Sequence, residues 1–236
     1  MRLFTKSDIV FNIDELWCNY LYYNGIIDSE TIMDESGQEE TICRFTCPFV
    51  QKRLYSALTG ELIDEAPLVP ALGILDTLAD VFGPERLNLP ALLQRYKDYL
   101  RRLSAKGINP WQGQPRRADL HYTEAVGHFH LYAWLQAAVG RRCIISPEFP
   151  TGNGKVDLHL RCGKVEGIIE VKSLANISTL TSDKEQAAGY ADSLGKDSVT
   201  IALFVPSDDE KVHEQISGEG LVGQVRVTVV SIGWAI

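Results

Sequence analysis

Three side chains in the middle of the chain combine the types and spacing that metal-assisted hydrolysis requires. Asp157 lies in the segment Lys155-Val-Asp-Leu-His-Leu160, and Glu170 and Lys172 lie in Gly167-Ile-Ile-Glu-Val-Lys172. Apart from these groups and Lys155 and His159, both segments are apolar, and the turn Cys162-Gly163-Lys164 separates them. Unpaired charge in such a setting is costly. An ion pair between Glu170 and Lys172 that satisfies itself is one explanation of the pattern. The other is a metal centre: Asp157 and Glu170 offer hard oxygen donors to Mg²⁺ or Mn²⁺, and Lys172 stands beside the attacking water.

These groups must be positioned by strands. Val, Ile and Leu dominate Lys155–Leu160 and Val165–Val171, and a Gly-containing turn between them predicts a hairpin. Side chains alternate along a strand, so Glu170 and Lys172 share one face and Asp157 shares a face with His159. Beyond a polar interval, a helical run carries Gln186 and, four residues on, Tyr190 on the same helical face. Upstream, Glu124 opens the helical run that reaches Gln136. His128 and His130, two apart in that run, do not share a helical face and are not read as paired ligands. Taken singly, Glu124 suits a helix start, Gln186 an exposed helix position and His159 a hydrogen-bonded neighbour of Asp157.

The order Asp157, Glu170-Val-Lys172, Gln186, with Glu124 on a preceding helix, resembles the PD-(D/E)xK nuclease superfamily. The resemblance implies an α/β fold: a restriction-endonuclease-like mixed sheet flanked by helices. It implies Mg²⁺ or Mn²⁺ held by Asp157, Glu170 and Glu124, with Lys172 and Gln186 serving the water or the phosphate and Tyr190 touching the nucleic-acid backbone. Gly154-Lys-Val-Asp157, Ile168-Ile-Glu-Val-Lys172 and Gln186-Ala-Ala-Gly-Tyr190 are also similar to a nuclease region that follows an AAA-type ATPase in one family. The GxxxxGK[ST] phosphate loop of such an ATPase occurs nowhere in the chain. The partners implied are nucleic acid (DNA ahead of RNA), a second copy of the chain in a homodimer, and an ATPase on another chain.

Composition bounds these expectations. The 236 residues suit one large or two small domains, with hydrophobic residues at 45% and charged ones at 23%, ordinary for a globular protein. No run approaches the roughly 18 apolar residues of a membrane span, and the start of the chain lacks the apolar stretch of a signal peptide. A cytoplasmic protein that does not engage the membrane is expected. The five cysteines are odd in number and form no CxxC pair, which points away from structural zinc and toward reduced, mostly buried thiols. The formal charge of −8 is unhelpful to nucleic-acid binding, so local basic groups must carry it. Arg116 and Arg117 are the pair assigned to that role, with further basic groups at Arg101, Arg102 and Lys106 and at Arg141 and Arg142.

The breaker-rich stretch 105–118 suggests a boundary, giving a mostly helical N-terminal region over 1–110 and a nuclease-like domain over 111–236. In the first, Leu16, Tyr20 and Tyr23 form one helical stripe ended by Gly25, strands over 30–34 and 39–45 flank a turn, and Pro48 opens another helix. This is a winged-helix-like outline, assigned to packing ahead of DNA reading because no helix studded with Arg, Asn and Gln accompanies it. Helices follow over 73–82 and 91–103. At the other end, strands over 198–205 and 224–234 flank a polar linker over 207–219. Two readings of function follow. One is a metal-dependent endonuclease; the alternative is a catalytically inactive subunit of the same fold that binds or assembles with a separate ATPase or nucleic acid. A serine hydrolase ranks last, since no G-x-S-x-G elbow is present.

Overall fold

A computed structural model describes residues 3, 9–33, 38–47, 49–51, 53–55, 57, 69–112, 114, 124–150, 155–174 and 179–234. Arg116, Arg117 and Gly154 lie outside the described residues. The chain divides into two compact units, Met1–Leu58 and Thr59–Ile236.

In the first unit, helix α1 (Leu16–Tyr23) is followed by an antiparallel hairpin of β1 (Ile27–Met33) and β2 (Glu39–Phe45), and residues 49–51 and 53–55 are helical. Gly25, with φ 65°, ends α1 in the left-handed conformation that glycine tolerates. The expected stripe faces outward: Leu16, Tyr20 and Tyr23 are exposed, and α1 instead buries Cys18 against Ile27 and Cys43.

The second unit is built on a six-stranded mixed sheet in the order β3-β4-β5-β6-β8-β7. Its strands are β3 (Ile144–Pro150), β4 (Lys155–Cys162), β5 (Val165–Ser173), β6 (Ser198–Val205), β7 (Gly218–Val222) and β8 (Val225–Gly233). β3, β4 and β5 run antiparallel, whereas β5, β6 and β8 are parallel. Helix α2 (Leu89–Ala105) is capped by the Asn88 side chain, which accepts from Ala91 N, and buries Leu92, Leu93, Tyr96 and Leu103. Although its sequence position suggested the N-terminal region, α2 packs on β6 and β8. Helix α3 (Glu124–Val139) is apolar around most of its circumference, as a helix covered on several sides must be. A Cβ on Gly127 would come within 2.6 Å of the Phe204 ring, so this glycine sets how closely α3 approaches β6. On the opposite face, helix α4 (Leu180–Ser193) lays Ala187, Ala188 and Ala191 over Ile168, Val199, Ile201, Val227 and Val229.

Three local expectations give way. Residues 73–82 are turns, not helix: Gly73 N donates to Asp76, whose carboxylate is held by Arg102, so local side-chain bonds displace the helical ones. The linker over 207–219 contains helix α5 (Glu210–Ile216), capped by Asp209, and β7 begins at Gly218. Cys143 and Cys162 form a disulfide instead of remaining reduced. The register Ile144↔Arg161 places them opposite each other across β3 and β4, with Cα atoms 4.2 Å apart, a juxtaposition that cysteine spacing alone does not reveal. No helix among the described residues is long and apolar enough to cross a membrane.

Candidate active site

The ladder between β4 and β5 ends at Leu158↔Ile169. One residue further, carboxylates replace the backbone pairing. Val171 N donates to Asp157 Oδ2 at 2.7 Å, and Asp157 N donates to Glu170 Oε1 at 3.3 Å. The two acids thus sit where adjoining strands part, each engaged by one oxygen with the backbone.

Glu170 and Lys172 project from the face of β5 that α4 covers, since Glu170 pairs with Ile201 and Lys172 with Leu203 of that apolar layer. Glu170 is only 1% exposed, and Lys172 and Asp157 are half-buried. From the start of α3, Glu124 enters the same field and accepts a backbone hydrogen bond from Ser173. Gln186 is exposed on α4, its Nε2 donating to Tyr190 Oη at 3.1 Å, and Tyr190 is close enough to Glu170 and Lys172 to feel both charges.

Electrostatics tie the cluster together. Burial, reinforced by the charge on Asp157, raises Glu124 to about 7 against the opposing pull of Lys172. Burial and then Asp157 also hold Glu170 well above the usual carboxylate range. Burial alone would lower Lys172, but Glu124, Asp157, Glu170 and Asp183 together outweigh it and hold the ammonium protonated above its ordinary range. Several acids therefore share one lysine. That imbalance is what a bound cation would relieve. Glu170 and Lys172 make no ion pair with each other among the described residues, so the self-satisfying pair is not what the structure contains.

Two further residues belong to this cluster. Asp183, three residues before Gln186 on α4, lies within the field of Lys172 and Glu124, and burial raises its own carboxyl. His128, four residues after Glu124 on α3, is buried, and its Nε2–H donates to the Asp157 carbonyl at 3.1 Å. Burial lowers His128, so the ring is a neutral anchor with a fixed tautomer. Helical spacings of three and four residues from Gln186 and Glu124 were the available signals for both. His130 turns away and meets Tyr96 Oη at 2.6 Å in the core.

The donor chemistry fits a hard divalent cation, because Asp157, Glu170 and Glu124 supply only oxygens. Among the described residues, however, no three His, Cys, Asp or Glu side chains are already arranged to hold one metal ion. Comparison with protein-family models, curated proteins and solved structures returns no match.

Proposed function

We propose that the chain is a divalent-metal-dependent nuclease of the PD-(D/E)xK type that hydrolyses phosphodiester bonds, in DNA ahead of RNA. The observation that carries this reading is the exchange of carboxylate bonds between Asp157 and Glu170 where β4 and β5 separate, with Lys172 on the same apolar strand. The element order supports it as well: a helix bearing Glu124, the two acidic strands, and a helix bearing Gln186 follow one another around a mixed sheet. On this reading the second unit is restriction-endonuclease-like. The helix and hairpin of Met1–Leu58 form a winged-helix-like packing unit.

Asp157, Glu170 and Glu124 would hold Mg²⁺ or Mn²⁺, which when bound supplies Lewis-acid stabilisation of the phosphate and a more acidic water. Lys172, kept protonated by the surrounding acids, presents positive charge to the negative charge that grows on the phosphoryl oxygens. His128 holds the Asp157 backbone from behind. Gln186, already oriented by Tyr190, offers its amide to the water or a phosphate oxygen. The partners this reading carries are nucleic acid, a second copy of the chain and a separate ATPase. Its expected cytoplasmic residence is in tension with the Cys143–Cys162 disulfide, a bond type that persists in oxidising compartments.

The second reading, an inactive subunit of the same fold, draws on one observation: the acids are turned to backbone N–H groups and no three-ligand set stands ready among the described residues. Incubating plasmid, single-stranded DNA and RNA with Mg²⁺ or Mn²⁺ separates the two. The nuclease reading expects cleavage by the wild type that Glu170→Ala and Lys172→Ala each reduce by at least about 100-fold. Folded wild-type protein that cuts none of these substrates would establish the inactive subunit instead.

A further inference from the structure

A cleft of about 280 Å³ lies between β4 and the end of α4. Ser146, His159, Arg161, Glu166, Leu194 and Lys196 line it. Asp157, His159 and Arg161 alternate along β4, so they project from one face. At about 3.3 Å per residue, Arg161 stands about 13 Å along the strand from Asp157. The other wall follows the same path. Tyr190 on α4 lies within the field of Asp157, Glu170 and Lys172, and Leu194 and Lys196, just beyond the end of that helix, reach the cleft.

The charge of this cleft differs from that of the candidate active site. Glu166 is shared by Lys196, at 2.5 Å, and His159, at 3.6 Å. Arg161 is exposed and makes no ion pair among the described residues. Two permanent cations thus face one carboxylate, within a chain of formal charge −8. The Ser146 position opposite His159 adds a hydroxyl, and the Cys143–Cys162 disulfide clamps the two strands that carry these groups next to Arg161.

We infer that this cleft holds a backbone phosphate of the substrate strand, with Arg161 as the principal contact, and so fixes which bond reaches Lys172. The inference rests on the nuclease reading and specifies where the strand runs. A duplex strand advances 3.4 Å per nucleotide along the axis, so the separation corresponds to about four nucleotides from the cleaved bond. The surplus of acid around Lys172 repels an approaching strand. A cationic anchor some distance away offsets that repulsion without disturbing the metal ligands.

The test compares wild type with Arg161→Glu and Arg161→Lys on labelled single-stranded and duplex DNA and on RNA of the same sequence. Binding is followed by anisotropy over a salt series without divalent metal, and cleavage is followed with Mg²⁺. Arg161 is exposed, so thermal melting of the variants should match the wild type and exclude misfolding. Loss of one phosphate contact should lower the slope of log K against log salt by about 1. Arg161→Glu should raise KM about tenfold with kcat unchanged, and Arg161→Lys should recover most of the loss. The substrate bound more tightly, DNA or RNA, identifies the source of the phosphate. If the wild type cuts and Arg161→Glu keeps both KM and salt slope, this inference fails while the nuclease reading stands. Arg161-dependent binding without cleavage would sustain the cleft and refute the nuclease. A wild type that neither binds nor cuts would overturn both.

Discussion

Asp157 and Glu170 are joined through their strands: Asp157 N donates to the Glu170 carboxylate, and the next residue on β5, Val171, donates its N–H to Asp157. Ordinary antiparallel pairing would have satisfied these backbone groups with carbonyls. Using carboxylates instead opens the hairpin at this point and places two acids side by side in a largely buried setting. Such a concentration of acid is unfavourable without a counter-charge, and Lys172 supplies one positive group for several negative ones.

The first prediction concerns pH. Glu124 keeps its proton in the folded chain up to about 7, while its ordinary value is 4.5. A raised acid stabilises the fold fully below 4.5, and that contribution disappears as pH rises through 7. The metal-free protein should therefore lose on the order of 3 kcal/mol between those limits from this group, with Glu170 acting in the same direction. Thermal melting with EDTA should show Tm falling from pH 5 to pH 8. Glu124→Gln should flatten that fall, and Mg²⁺ should reverse it in the wild type only, since a ligand of the native state stabilises it. A Tm that rises over this range in EDTA would contradict the charge imbalance.

The second concerns packing behind the site. Gly127→Ala places a methyl carbon within 2.6 Å of the Phe204 ring, which is fully buried and has no room to retreat. The expected cost is about 1–3 kcal/mol, measured by urea unfolding. Because Glu124 lies on the same helix, one turn earlier, α3 should move and metal binding should weaken as well. Combining the change with Phe204→Leu should recover part of both losses.

Much of this architecture was legible in the residues. The alternation of Val, Ile and Leu around Asp157, Glu170 and Lys172 foretold the β4–β5 hairpin, because a buried strand has little choice but to alternate. Strand β3 was not anticipated: it carries Pro147 and Pro150, which cannot donate to a ladder, and it forms an edge of the sheet, where proline is tolerated. Nor was β7, whose exposed Gly-Glu-Gly-Leu-Val has no apolar alternation and is held by its pairing with β8. Asp183 was not singled out and His128 was weighed only as a partner of His130, because each is unremarkable alone and only the packing of α4 and α3 brings them to the acids. The disulfide depends on the register of two strands, one of which was unseen.

The third prediction follows from that disulfide. Thiol titration of unfolded, unreduced protein should count three reactive cysteines, Cys18, Cys43 and Cys47, and five after reduction. Replacing Cys143 and Cys162 by serine should cost about 3 kcal/mol of stability, as expected for a closed loop of this size. Five reactive thiols before reduction would show the pair to be open.

The most direct test of the central claim is calorimetric titration of the metal-free protein with Mn²⁺, comparing wild type with Asp157→Asn and Glu170→Gln. If the two carboxylates hold one ion, as proposed, the wild type should bind stoichiometrically and each variant should bind at least tenfold more weakly. Equal binding by all three proteins, or no binding by a folded wild type, would contradict it.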